Sequence, residues 1–299
     1  AAGGLAALCA RGRDADLFGL AGVGTGRVAS APSRPPGRLK PPELGRSLIF
    51  GPALATGLCE SAVIWLHGFC EGPEAWAELF CGDRSEHPGW KWVHLRAPRL
   101  PQPCFQGQRL PAWGDFLETE SLHVGSRDYE NPDTRGYYAA TVAAVHHWVD
   151  KLETAGVPPE RVVVGGYSQG AASALESALR YPRRLAGCVA ISGWLNPGAR
   201  AALAKGVTVN RDIPCLLCHG TCDDEVGFDC GEAAARLLQA AGAQVRFERL
   251  EHEGHYPCQR VRAATTEFLG SALGAGDAQK CGKRSGRRKA AKKRELQGA

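Results

Sequence analysis

Methionine is absent from all 299 residues, position 1 included, so an incomplete or processed N-terminus is expected. No apolar run approaches the roughly 20 residues that a helix needs to cross a bilayer. Asn-x-Ser/Thr sequons are missing too, which removes one argument for a secreted glycoprotein. A basic domain is also lacking, despite a net charge of +5. From Ser271 onward nine Lys/Arg face only Asp277 and Glu295, a local excess of seven, which leaves residues 1–270 near minus two. The basicity belongs to the tail, and the domain itself is not expected to bind nucleic acid.

What is present describes a globular protein: 44% hydrophobic and 22% charged residues, enough for one large α/β domain with extensions or for two smaller ones. Twelve cysteines could form a disulfide scaffold. However, Cys188, Cys215 and Cys218 sit in apolar strands and read as small buried hydrophobes in a reducing, cytoplasmic setting. Cys215 and Cys218, with Cys222 and Cys258, have a loose zinc-like spacing. The leucines between the first two predict a strand, which sends those sulfurs to opposite faces. No metal and no cofactor are expected.

Residues 1–45 are rich in Ala, Gly, Pro and Arg and read as a disordered or loosely packed leader. Gly22-Val23-Gly24-Thr25-Gly26-Arg27 has no strand before it and Arg27 in place of the last glycine, so it is not a nucleotide loop. A domain over 46–270 follows, then a basic disordered tail over 271–299. The Lys280–Arg294 stretch is a candidate patch for an anionic membrane surface, or a nuclear-import signal.

Within the domain, strands are predicted at 47–50, 62–66, 92–95, 162–164, 185–191, 214–218 and 245–250. Helices are predicted around Trp76–Phe80, from Asp133 or Thr134 to Leu152, after Ser168, over 232–241, and from the His255 loop to about Leu269. Gly156 and Pro158-Pro159 close the second of these. Residues 97–118 read as one long Pro/Gln loop. Strands alternating with helices predict a single-domain, mostly parallel central sheet with helices on both faces.

Gly166-Tyr167-Ser168-Gln169-Gly170 organises this pattern. A valine run enters it and an Ala/Leu-rich helix leaves it, so Ser168 falls on a sharp strand-to-helix turn. A Cβ at position 166 or 170 would strike the neighbouring strand or helix. A serine hydroxyl needs a base, normally an imidazole, and the imidazole needs a carboxylate to fix its tautomer. Late strand-ending loops supply both. His255 follows Gly254, lies nearest the closing helix, and is preferred to His252; Asp223 is preferred to Asp224 on position. Two main-chain donors must also face the developing oxyanion. The N–H of Gln169 is one, and the His67-Gly68-Phe69 turn offers that of Phe69.

Together, Leu66-His67-Gly68 with Trp76-Ala77-Glu78, the Ser168 turn, His219-Gly220-Thr221-Cys222-Asp223, and His255 with Cys258-Gln259 resemble the acyl-protein thioesterase / phospholipase–carboxylesterase family of α/β hydrolases. Arg96-Ala97-Pro98, Pro111-x-Trp113-x-Asp115 and Ser192-Gly193-Trp194-Leu195 fit as well. The resemblance implies an α/β-hydrolase fold, a Ser168–His255–Asp223 triad and oxyanion donors at Phe69 and Gln169. The implied activity is hydrolysis of S-acylated proteins, lysolipids or small esters. It also implies an apolar acyl channel under the 97–113 loop, for which Leu100, Phe105, Trp113 and Trp194 are the candidate contacts. A monomer or weak dimer is expected. Cys70-Glu71 stands where the family usually has Gly-Asp, Asp224 where many members have Pro, and the 100–108 loop is polar. Two alternatives therefore stay open: a short-chain carboxylesterase without a protein substrate, and a non-catalytic scaffold whose tail binds nucleic acid or membrane.

Overall fold

A computed structural model describes residues 44–51, 59–81, 89–206 and 208–274. Most of the leader and the whole Lys280–Arg294 stretch therefore lie outside the described residues. In chain order the elements are β1 (Gly45–Phe50), β2 (Ser61–Leu66), α1 (Glu74–Cys81), β3 (Trp90–Arg96), β4 (Arg99–Gln102), β5 (Gln108–Pro111) and α2 (Tyr137–Thr154). They continue with β6 (Val162–Tyr167), α3 (Gln169–Arg180), β7 (Gly187–Ile191), α4 (Pro197–Ala204), β8 (Pro214–Gly220), α5 (Phe228–Ala240), β9 (Gln244–Leu250) and α6 (Gln259–Leu273).

Seven strands make one sheet in the order β1-β3-β2-β6-β7-β8-β9. The β1–β3 pair is antiparallel, and every other neighbouring pair is parallel. The central strands β2, β6 and β7 are buried throughout, which is why they read as continuous apolar runs rather than alternating ones. Alternation still sorts their side chains by face. Ile64, Leu66, Val162 and Val164 pack with Val145 and Val149 of α2, Leu175 of α3 and Leu238 of α5. Val63, Trp65, Val163 and Tyr167 pack on the other side with Trp76 of α1 and Phe268 of α6. Cys215 joins the first cluster and Cys218 the second, on opposite faces of β8, as the strand reading required.

The structure differs from the sequence reading in several places. The 97–118 segment is not one irregular loop: β4 and β5 pair as an antiparallel hairpin, with its turn at Gln106 and Gly107, both at positive φ. Helix α2 starts at Tyr137, not at Asp133 or Thr134. Helix α5 starts four residues earlier than expected, at Phe228, and α6 runs on to Leu273. Helix α4 was not foreseen, although Asn196 caps it by accepting from Ala199 N and Pro197 opens it, a usual start signature. A third apolar cluster, holding Phe69, Leu100, Leu110, Phe116, Tyr137, Ala172 and Trp194, packs the hairpin against the loops at the carboxyl ends of the strands. Among the described residues no helix is long and apolar enough to cross a membrane.

Candidate active site

Strand β6 ends at Tyr167 and α3 begins at Gln169, so a single residue, Ser168, makes the turn. Its backbone is held at φ 54°, ψ −123°, a region that a side chain rarely occupies unless its surroundings enforce it. Those surroundings are tight. A Cβ on Gly166 would lie 2.5 Å from the carbonyl of Gly170, and one on Gly170 would lie 2.3 Å from the carbonyl oxygens of Leu66 and His67. Both glycines are thus dictated by close passage of strand and helix. Ser168 N donates to Ile191 O at 2.8 Å, which ties the turn to the end of β7.

The loops after β8 and β9 bring the other two groups. Ser168 Oγ lies 3.0 Å from His255 Nε2, and His255 Nδ1 lies 2.8 Å from Asp223 Oδ2. With Nδ1–H donating to the carboxylate, Nε2 is left as acceptor for the serine proton. All three side chains are buried. Asp223 Oδ1 accepts from the N–H of Glu225 and Val226, at 3.0 and 2.9 Å. Burial works to raise the Asp223 carboxyl, but hydrogen bonds from His219 and His255 outweigh it and hold the group well below the usual carboxylate range. Asp224 and His252, the alternatives, are exposed.

His219 was quoted in the sequence only as part of a loop motif. It is fully buried on β8, its Nε2–H donates to Val226 O at 2.8 Å, and the same nitrogen is 3.2 Å from Asp223 Oδ2. Two imidazoles therefore grip one carboxylate oxygen. Ser192, at a left-handed φ of 49° at the end of β7, donates from its hydroxyl to His255 O at 3.0 Å and anchors the histidine loop. A strand-ending serine that packs inward was the available signal for it.

The other wall of the site is the turn after β2. Phe69 is fully buried, and its N–H donates no hydrogen bond among the described residues. Gln169 opens α3, so its N–H has no partner within the helix. The Gln169 side chain is spent elsewhere: Oε1 accepts from Trp113 N at 2.8 Å and Nε2 donates to Gly114 O at 3.1 Å. Of the four expected acyl contacts, Leu100, Phe105 and Trp194 join one aromatic and aliphatic row. Phe69 lies between Phe105 (6.1 Å, stacked) and Phe116 (4.9 Å, edge-on), and Phe116 reaches Trp194 at 6.2 Å. Trp113 is placed differently. It is buried in the main core, and its indole N–H donates to His67 O at 2.7 Å, so it holds the turn after β2 from below. Among the described residues no group of His, Cys, Asp or Glu is arranged to hold a metal ion.

A parallel sheet carrying a serine on a strained strand–helix turn, with Asp and His on later loops, defines the α/β hydrolases. Comparison with known proteins narrows the class: the chain belongs to the phospholipase/carboxylesterase family, whose model matches residues 57–273. A probable carboxylesterase of Oryza sativa subsp. japonica is 35% identical over 219 residues, 72% of this chain and 79% of that protein. The Neurospora crassa acyl-protein thioesterase 1 is 29% identical over 212 residues, 70% of this chain and 85% of that one. Among solved structures, Arabidopsis thaliana SOBER1 superposes with a TM-score of 0.64 at 28% identity, covering 72% of this chain and all of that one. The protein is accordingly an α/β-hydrolase enzyme of the esterase and thioesterase type.

Proposed function

We propose that the protein cleaves thioesters or oxyesters of fatty acids through an acyl-enzyme on Ser168, with S-acylated protein as the leading substrate and lysolipid as the next. The observation that carries this reading is the continuous relay Ser168 Oγ–His255 Nε2 (3.0 Å) and His255 Nδ1–Asp223 Oδ2 (2.8 Å). Ser168 Oγ attacks the carbonyl carbon as its proton passes to His255 Nε2. Asp223 steadies the imidazolium, and the N–H groups of Phe69 and Gln169 receive the oxyanion. Collapse expels the thiol or alcohol, which takes the proton from His255. Water, activated by the same imidazole, then releases the fatty acid. The relatives named acyl-protein thioesterase and the apolar row from Phe105 to Trp194 support a fatty acyl group. The exposed polar tip Gln106–Arg109 of the hairpin supports a second reading, a short-chain carboxylesterase.

A fluorophosphonate should label Ser168. Ser168→Ala should abolish labelling and lower turnover of a nitrophenyl ester by about 10⁴-fold or more. Parent-rate turnover by that variant would sink the assignment. In a butyryl, octanoyl and palmitoyl series, activity rising to the longer chains supports the fatty-acyl reading. Activity confined to butyryl hands the case to the short-chain one.

A further inference from the structure

The turn after β2 disposes of its main-chain donors in an instructive way. Gly68 N donates to Glu71 Oε2 at 3.0 Å and Cys70 N donates to Pro111 O at 2.8 Å, while Phe69 N, between them, donates to nothing among the described residues. The same Glu71 oxygen accepts from the indole N–H of Trp76, on α1, at 3.2 Å. One carboxylate oxygen thus bridges the turn to a helix on the far face of the sheet. Gly68 permits this approach, because a Cβ there would lie 3.0 Å from Glu71 Oε2 and 2.8 Å from the Tyr167 ring. The neighbouring His67 is fixed at both ends: its Nε2 accepts from Ala97 N at 3.0 Å, and its carbonyl accepts from Trp113.

The peptide group that carries the Phe69 N–H is held at its own carbonyl, where His67 Nδ1–H donates to Gly68 O at 2.7 Å, and the Glu71 bond to Gly68 N–H fixes the peptide before it. We propose that Glu71 is a positioning residue of the hydrolytic site, whose carboxylate, by engaging Gly68 N–H and Trp76 Nε1–H together, aims the Phe69 N–H at the oxyanion. This rests on the Ser168 reading above and adds a residue that touches neither substrate nor nucleophile. Burial pushes the Glu71 carboxyl upward, and the bonds from Trp76 and Gly68 and the nearby His255 pull it back. The neighbourhood fits the role. Tyr167 packs against both Trp76 (4.9 Å) and His255 (5.0 Å), so α1, the Glu71 turn and the imidazole form one packed unit.

The acceptor oxygen, rather than the charge, is what the geometry needs. Glu71→Gln, which keeps that oxygen, should retain kcat within about threefold. Glu71→Leu, which removes it, should lower kcat about 30-fold with KM within about twofold, a part of the 10²–10³-fold that losing an oxyanion donor outright entails. Trp76→Phe should lower kcat about fivefold, and should have no further effect in the Glu71→Leu background, because both act through one oxygen. Wild-type kcat in a folded Glu71→Leu protein would overturn the proposal, as would Glu71→Gln falling as far as Glu71→Leu. If Glu71→Leu does not fold, the Trp76→Phe kcat decides in its place, with an unchanged value counting against. A wild-type chain that hydrolyses no ester fails at the Ser168 reading instead, before any of these variants is compared.

Discussion

The sharpest demand on a single residue falls on Asp223. Its Oδ1 takes two main-chain N–H bonds and its Oδ2 faces the ring nitrogens of both His255 and His219. All four neighbours are donors, so only a group with acceptors alone suits the position. Asp223→Asn keeps Oδ1 for the two amides and turns an NH2 toward two imidazole N–H groups. His255 then relieves the clash by moving its proton to Nε2, the atom that must accept from Ser168. The expected result is a loss of about 10⁴-fold in kcat, with thermal stability falling as well because a buried donor pair is left unmatched. Steady-state kinetics beside a melting curve would check it, and kcat within tenfold of the parent would contradict the tautomer argument. At this scale the sequence was readily legible. Gly166, Ser168 and Gly170 announce their turn because a valine run enters the pattern and an Ala/Leu-rich helix leaves it, and the loops holding Asp223 and His255 follow in the order the fold uses. His219 and Glu71 were not legible as individuals, since a hydrogen bond made across the fold leaves no mark in local spacing.

Among the elements, α2 shows how a start signal can be correctly sensed and misplaced. Its N-cap is Gly136, in the left-handed region at φ 71° and without a capping side chain. The cap comes from upstream: Asp133, itself at φ 50°, accepts from Tyr138 N at 3.1 Å and Ala139 N at 2.9 Å. The acid that looked like the first residue of the helix is its cap, bent back over an extra turn. Asp133→Ala should therefore destabilise the fold by about 1 kcal/mol, and Asp133→Asn, which keeps an acceptor and tolerates a left-handed backbone, by less. Chemical denaturation of the two variants would test this, and equal losses would mean that one acceptor oxygen is not enough and that both carboxylate oxygens are needed for the cap. The effect reaches the site, because α2 also carries Thr141, whose hydroxyl donates to Trp113 O at 2.9 Å beneath the β2 turn. The hairpin β4–β5 was hidden for a different reason. Arg99-Leu100-Pro101-Gln102 is only four residues long and carries a proline, so neither alternation nor propensity marks it. Pairing with Gln108–Pro111 and burial of Leu100 and Leu110 hold it in place. Helix α4, eight residues long, is likewise too short for periodicity to show.

At the scale of the whole molecule, two buried histidines outside the relay add to a sensitivity to acid that the depressed Asp223 carboxyl shares. His67 and His94 are fully buried, and burial lowers the first to about 4 and the second to about 3. In an unfolded chain an imidazole titrates near pH ~6.5. Between that value and the lowered ones the unfolded chain binds protons that the folded one refuses. Stability from these groups is therefore complete above pH ~6.5 and is lost as the pH falls toward 4 and 3. Asp115 and Asp128 act in the opposite sense: burial raises both to about 6, so their protonation on folding adds stability as the pH falls from 6 toward the unfolded value. A net profile mixes these signs, so a single histidine must be isolated. His94 is the better choice, because its Nδ1 has no hydrogen-bond partner among the described residues and its ring stacks 5.4 Å from Trp92 with Phe50 edge-on at 5.9 Å. His94→Phe preserves the aromatic contacts and removes the titration, together with the buried contact of Nε2 with Cys81 Sγ at 3.4 Å. Near pH 7.5 the variant should differ from the parent by only about 1 kcal/mol, the usual effect of a near-isosteric core change. By pH 4.5 the comparison should have moved about 2 kcal/mol in the variant's favour, read as a gap in melting temperature that opens steadily below pH ~6.5. Parallel decline of the two proteins over that range would show that His94 is not where the acid sensitivity resides.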